Sequence, residues 1–524
     1  MPNLSNAQYC AKLYEKHGRS FLENLNGEFA GLIYNRKKSD ITLFADRVGS
    51  RPIYYMKTNG SLIFSTNIQS ILKHPQIDVE MDVEMLAEFL SGKYSPLGTK
   101  TIFKGIKELH PGSKLLYKIK ENATKNKIYW QPKYKPKNKP FSYFLKKFKK
   151  IISKAVEERI HDEDLDYGLF ISGGSDSRLL ASLIDKEIKC YHANEYMNRE
   201  AKISKKVAIE SGHKFEFLKR DKDCQEKVLE ESGKITNFNS WFTSGHFLGF
   251  SDKISKEVDV ILTGTWADTL LQGHHLPTKK LNIPVIRESL SVPMLNKKNP
   301  IEFLSSKFNQ LPAYYKSQNS IKKIINKNVI RNNSCLKSHG IKFGDKINLI
   351  HSGITYPITN APAFFEYFSN TQITKTEYPF LDNRIIDLSL EMPWKYHLRK
   401  NIVKNTITKI DPKITKISRG DSFLPMSSPY LMNFASRKLT SLKRKVDLKN
   451  HHGPWADREK IIRETDLAYS TIKEKGDPIK KCEFLDHKLI MKSYEDHING
   501  LNNTNKLVPI ISFIKPNIME EVLG

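Results

Sequence analysis

Cysteine is scarce in this sequence. The five present (Cys10, Cys190, Cys224, Cys335 and Cys482) are scattered through 524 residues, with no CxxC pair and no His/Cys cluster at metal-ligand spacing. That argues against a structural zinc or a disulfide framework and points to reduced thiols in a cytoplasmic setting. No apolar run approaches the roughly 18 residues that a membrane span requires. The opening MPNLSNAQYC has no basic segment followed by an apolar core, so it does not read as a secretory signal. The GxxxxGK[ST] layout of a Walker loop is also missing, which disfavours γ-phosphoryl transfer. Acidic residues are short: 57 stand against 85 Lys and Arg, a formal net charge of +28. Such an excess suits nucleic acid or an anionic membrane surface. The lysines are nonetheless spread throughout, beside abundant Asn and Ile, and read as a solvated surface. In FSYFLKKFKKIISKAVEERI, for example, Phe144, Leu145, Phe148, Ile152 and Val156 recur at helical spacing opposite lysines, the pattern of a helix packed on a sheet.

The hydrophobic share of 39% is ordinary for a globular chain. The length exceeds what one core serves, so about two or three domains are expected. QPKYKPKNKP, residues 131–140, carries three prolines, four lysines and almost nothing to bury, and reads as an extended interdomain linker. Residues 1–130 are β-rich: EFAGLIYN, DITLFADR, RPIYYM and SLIFSTN are short strand-like runs, and Asn59-Gly60 is a hairpin signal. In residues 141–524, LDYGLFI, EIKCYHA, HKFEFL and VDVILT alternate with helical segments. That is the mark of an α/β fold with a doubly wound parallel sheet. From about Pro300 onward the pattern is a mainly helical extension.

The densest chemistry lies in YGLFISGGSDSRLLASLI, Tyr167 to Ile184. A strand ending at Ile171 passes through Ser172, Gly173, Gly174 and Asp176 into a helix expected from Ser177. A strand–loop–helix junction aims backbone N–H groups and the positive helix end at one spot. Gly173 and Gly174 are expected to turn the backbone with positive φ and let an anion approach, with Ser172 and Ser177 adding hydroxyl donors. A carboxylate in such a loop repels phosphate unless a cation intervenes, so Asp176 is expected to hold Mg²⁺.

This string resembles the PP-motif of ATP pyrophosphatases, which cleave ATP between its α and β phosphates. Other segments narrow the resemblance. GTWADTLLQG, Gly264 to Gly273, is similar to the second pyrophosphate loop of the asparagine synthetase family, with a Gly four positions before an Asp. EYPFLDNRIIDLSLEMP resembles that family's Pro-Phe-Leu-Asp segment, and IFKGIKELHPGSKLLY its interdomain hairpin. FLENLNGEFAGLIYN and LFADRVGSRPIYY look like the second half of its glutamine amidotransferase domain. The resemblance covers nearly the whole chain. It implies ATP as substrate, with Ser172, Gly173, Gly174, Asp176 and Ser177 around the β and γ phosphates. Asp176 and Asp268 would share Mg²⁺, Ile171, Ala193 and Gly264 would line the adenine and ribose, and Thr263 would join the ATP/pyrophosphate-binding set. The implied reaction forms an acyl-adenylate from a small-molecule carboxylate, which ammonia or an amine then attacks.

Three departures from the family stand out. The nucleophilic cysteine that follows the family's initiator Met has no counterpart, since Met1 precedes Pro2 and the nearest cysteine is Cys10. The amidotransferase-like domain is therefore expected to be partial and without glutaminase activity, with ammonia taken from solution or from a separate glutaminase-bearing chain. Thr265 stands where the family has a glutamate taken as the base for the amine; His192, Glu200, His274 and His275 are possible substitutes. ISRGDSFLP replaces a segment whose lysine steadies the α-phosphate, leaving Arg419 as candidate and Lys416 as fallback. Two other functions remain open, a PP-motif tRNA-modifying enzyme and a non-catalytic scaffold; the Pro-Phe-Leu-Asp segment disfavours the first, and retention of Asp176 with Asp268 the second.

Overall fold

The computed structural model describes residues 4–92, 97–221, 247–273, 276–283, 288–293, 299–317, 319–332, 335–361, 363–420, 423–428, 458–474 and 482–514, with isolated positions between them. Short β-branched and aromatic runs closed by turns make the N-terminal part antiparallel. Its strands are β1 (Ala30–Asn35), β2 (Asp40–Ala45), β3 (Tyr54–Lys57), β4 (Leu62–Ser65), β5 (Lys107–Glu108), β6 (Ser113–Lys118) and β7 (Ala123–Ile128). They form one sheet in the order β1-β2-β6-β7 and another in the order β4-β3-β5. Asn59-Gly60 does close the β3–β4 hairpin, with Gly60 at φ 126°. Cys10 lies on the helix Asn6–His17, which a Ser5–Gln8 capping box starts, and it is half-buried against Phe21, Leu22 and Phe44.

The strands that follow are β8 (Tyr167–Phe170), β9 (Lys189–Asn194), β10 (Lys214–Lys219), β11 (Val260–Thr263), β12 (Thr278–Ile283), β13 (Glu288–Pro293), β14 (Val329–Asn332), β15 (Cys335–Ser338), β16 (Ile341–Lys342) and β17 (Lys375–Glu377). Five of them make a wholly parallel sheet in the order β10-β9-β8-β11-β17. Winding leaves β8 toward β9 on one side and returns to β11 on the other. The crevice beyond the carboxyl ends of β8 and β11 is thus a topological switch point, where open α/β sheets bind ligands. The helix Phe141–Glu157 covers the sheet with Phe144, Phe148 and Ile152, which share one core with Leu169, Leu179, Ile385 and Val403.

Several expectations needed correction. The segment 131–140 is extended but docked: Lys135 and Lys137 donate their amides to the carbonyls of Leu390 and Glu391 at 3.1 and 2.8 Å. Tyr134 is buried, and its hydroxyl accepts the Trp394 amide at 2.7 Å. The region beyond Pro300 is helical but also holds the β14–β16 meander and β17, whose two- to four-residue runs are too short to show a strand period. The Pro-Phe-Leu-Asp segment ties the two parts of the chain together. Asp382, fully buried, accepts from Asn26 Nδ2 at 3.0 Å and Arg384 Nε at 2.8 Å. Burial works against this carboxylate, but the Arg384 and Asn26 hydrogen bonds hold its pKa below the ordinary range.

Candidate active site

The loop after β8 is wired within itself. Ser177 Oγ accepts the Ser172 amide and donates to the Ser172 carbonyl, both at 3.0 Å, and Ser172 Oγ accepts the Gly174 amide at 3.2 Å. Neither Gly173 nor Gly174 adopts positive φ; Gly174 sits at φ −73° as the helix N-cap. The chain bends into the helix without a left-handed glycine, so these glycines serve close approach rather than a left-handed turn. A Cβ on Gly173 would stand 2.7 Å from Glu200 Oε1, which accepts the Gly173 amide at 2.9 Å. The helix begins at Ser175, two residues before the sequence expectation, and ends at Ala181, so Leu183 and Ile184 follow it. Arg178 is fully buried and donates to the carbonyls of Gly173, Ile414, Ile417 and Ser418 at 2.7–3.2 Å.

The loop after β11 has a different construction. Trp266, buried and non-glycine, takes φ 80° and precedes the helix Ala267–Leu271. Asp268 lies in the first turn of that helix, not at its cap. Gly264 brings the two loops together: a Cβ there would stand 2.9 Å from Asp176 Cβ and 3.0 Å from the Ser177 amide nitrogen. Lys400, at φ 55°, projects its ammonium onto both Asp176 and Asp268, the latter at 2.5 Å. Burial opposes the charge on Lys400, but the two carboxylates outweigh it and raise its pKa above the ordinary value. Burial likewise raises the Asp176 carboxyl, with Lys400 pulling the other way and Asp268 adding to the rise.

These residues line one cleft of about 290 Å³. Ile171, Ser172, Gly174, Asp176, Ser177, Ala193, Thr263, Gly264 and Asp268 all contribute to it, so the structure brings most of the sequence-derived set together. Gly173 abuts it through Glu200. Arg419 does not line it: its carbonyl accepts from Arg199 at 3.1 Å, and its amide pairs with Leu424 in a local turn. Lys416, the fallback, is not among the lining residues either. The cation that is there, Lys400, was missed because it lies 224 residues from Asp176 in a basic-rich stretch with no motif.

The possible bases fare differently. His192 lines the cleft, but its Nδ1 is bonded to the Ile171 carbonyl at 2.9 Å, and burial lowers its pKa to about 4. Glu200 is engaged by Gly173. His274 and His275 fall outside the described residues. A carboxylate that the sequence reading overlooked faces the same cleft. Glu366, on the helix Phe364–Asn370, accepts from Thr265 Oγ1 at 3.1 Å.

Residues 147–414, just over half the chain, match the family model for asparagine synthase, and residues 4–130 match that for a glutamine amidotransferase domain. The glutamine-hydrolyzing asparagine synthetase 3 of Bacillus subtilis (strain 168) is 22% identical over 443 residues, covering 78% of this chain and 68% of the relative. A putative glutamine-hydrolyzing asparagine synthetase 2 of Methanocaldococcus jannaschii is 26% identical over 285 residues, 50% of this chain and 52% of the relative. The amidase chyE of Penicillium rubens is 26% identical over 184 residues, 34% of this chain and 26% of the relative. The chain thus spans about two thirds of the first of these and about half or less of the others. With the parallel sheet and its paired loops in place, these matches establish that the chain belongs to the asparagine synthase family, whose members are ligases that form carbon–nitrogen bonds.

Proposed function

We propose that this chain is an ATP-dependent, AMP-forming amide-bond synthase. It joins a small-molecule carboxylate to ammonia or an amine. The observation that carries the reading is the convergence of Asp176 and Asp268, from the loops after two adjacent parallel strands, on one Lys400 ammonium.

Carboxylate oxygens that share one ammonium lie within reach of a single cation, and hard oxygen donors at the mouth of a phosphate loop suit Mg²⁺. When bound there, Mg²⁺ would neutralise charge on the β and γ phosphates. The chain's own part is positioning and charge. The Ser172–Ser177 loop would cradle the pyrophosphate half of ATP. Ile171, Ala193, Thr263 and Gly264, at the strand ends, would receive the adenosine. Lys400 would oppose negative charge at the α-phosphate, the part that the sequence reading gave to Arg419. The substrate carboxylate oxygen attacks the α-phosphorus, the bond to the bridging oxygen breaks, and pyrophosphate leaves. The acyl-adenylate then yields to nitrogen, expelling AMP.

Cys10 is not built as a nucleophile, since burial raises its thiol pKa, the opposite of activation. The nitrogen source proposed is ammonia or an amine, free or delivered by a separate glutaminase-bearing chain. Among the described residues no helix is long and apolar enough to cross a membrane, and the proposed location is the cytoplasm.

Labelled pyrophosphate exchange into ATP, with Mg²⁺ and a panel of carboxylates, tests the reading. Exchange should appear with at least one acid and fall by about 10²–10³-fold in Asp176→Ala. Cys10→Ala should match the parent. Undiminished exchange in Asp176→Ala would refute the assignment.

A further inference from the structure

Threonine at position 265 leaves the amide-forming step without its family base, and the tertiary structure returns a carboxylate to that spot from another segment. Thr265 Oγ1 donates to Glu366 Oε1 at 3.1 Å across 101 residues of sequence. Thr265 is held in turn: its amide reaches Thr263 Oγ1 at 3.3 Å, and the two hydroxyls lie 2.8 Å apart. Glu366 lines the same cleft as Asp176, Asp268 and Lys400, and among the described residues its Oε2 has no hydrogen-bond partner.

The helix that presents Glu366 is anchored from behind. The fully buried Tyr367 donates its hydroxyl to Glu28 of the N-terminal part, and its carbonyl accepts from Tyr378 at 2.7 Å. A carboxylate fixed through one oxygen and open to the cleft through the other is in the position a general base needs. Of the other candidates among the described residues, Glu200 accepts the Gly173 amide, and His192 is held at Nδ1 by the Ile171 carbonyl, with burial lowering its pKa to about 4.

We propose that Glu366, oriented by Thr265, accepts the proton of the attacking nitrogen in the amide-forming step. This rests on the adenylation reading above. As the nitrogen lone pair adds to the acyl carbon, a C–N bond forms and the nitrogen gains positive charge. Glu366 takes one N–H proton, the C–O bond to the α-phosphate breaks, and its electron pair departs on AMP. Glu366 then gives its proton to water. Burial raises the Glu366 pKa to about 7, with Thr265 opposing and Asp268 adding, so a usable fraction is ionised near neutrality.

The test uses the full chain with ATP, MgCl₂ and ammonium chloride, and L-aspartate, L-glutamate and D-glucuronate in turn as the acid. Pyrophosphate exchange reports the first step; amide formed in a single turnover reports the second. Glu366→Gln should lower the rate of amide formation by about 10²–10⁴-fold, with a far smaller change in exchange and in KM for ATP. Glu366→Asp should recover part of the loss. Thr265→Val should lower amide formation about tenfold, the effect of losing one hydrogen bond to a charged group. A Glu366→Gln protein that forms amide at the parent rate overturns the inference and leaves adenylation standing. So does one that loses exchange and amide formation equally, which marks a structural role. A parent protein with no exchange on any of the three acids overturns both readings.

Discussion

The loop after β8 makes most of its hydrogen bonds within six residues, Ser172 to Ser177, and is held from outside by Arg178, by Glu200 on the Gly173 amide and by Lys400 on Asp176. The loop after β11 makes few of its own. It takes a left-handed Trp266, and its working groups meet partners from far away: Asp268 meets Lys400, and Thr265 meets Glu366. Both loops occupy equivalent places at the ends of adjacent parallel strands. The first is a local motif that carries its geometry with it. The second is a platform on which distant side chains assemble, so its side chains can change without disturbing the glycine-serine loop. That is how a family glutamate can be absent at Thr265 while Asp176 and Asp268 remain.

The sharpest way to break this contrast is Arg178→Met. Four backbone carbonyls would lose a buried donor, and each group left unpaired costs about 1–3 kcal/mol. Thermal denaturation should show a loss of several kcal/mol, with exchange abolished. An unchanged melting temperature would mean that the first loop holds its shape without the staple.

Gly264→Ala probes the contact between the loops. Its methyl would press on Asp176 Cβ and the Ser177 backbone, neither of which can swing aside. Displacement by a fraction of an ångström should lower pyrophosphate exchange by up to about 10²-fold, with little change in stability. Exchange at the parent level would show that the loops need not touch.

Gly420→Ala should have the smallest effect. Its Cβ would stand 1.7 Å from Glu200 Oε2, the far end of a flexible side chain that can turn away. The change releases Glu200 from Gly173, and a rise of a few-fold in KM for ATP is expected, about the worth of one hydrogen bond. A large fall in kcat instead would give Glu200 a part in the chemistry.

The ordering of these effects follows what was legible in the sequence. The glycine-serine loop and the helix after it could be read because their defining contacts span five residues or fewer. Burial on both faces makes β8 and β11 continuous apolar runs, which the sequence shows directly. The antiparallel hairpins of the N-terminal part were similarly visible through alternation and the Asn59-Gly60 turn. β17 was not, because three residues of mixed polarity join the sheet only through pairing with β11. Tyr134 shows the same limit: in a stretch of proline and lysine, nothing marks the residue whose amide donates to the distant Asn348 side chain and whose hydroxyl accepts the Trp394 amide.

By itself, the sequence determined β8, β9, β10 and β11, the glycine-serine loop and the helix after it, since period, turn chemistry and short-range hydrogen bonds are written along the chain. Tertiary structure alone decided that Lys400 meets Asp176 and Asp268 while Arg419 stays out of the cleft, and that Glu366 stands behind Thr265. Those contacts join segments about 100 residues or more apart. A lysine in a basic stretch and a glutamate on an aromatic helix leave no periodic trace of the partner that folding brings to them.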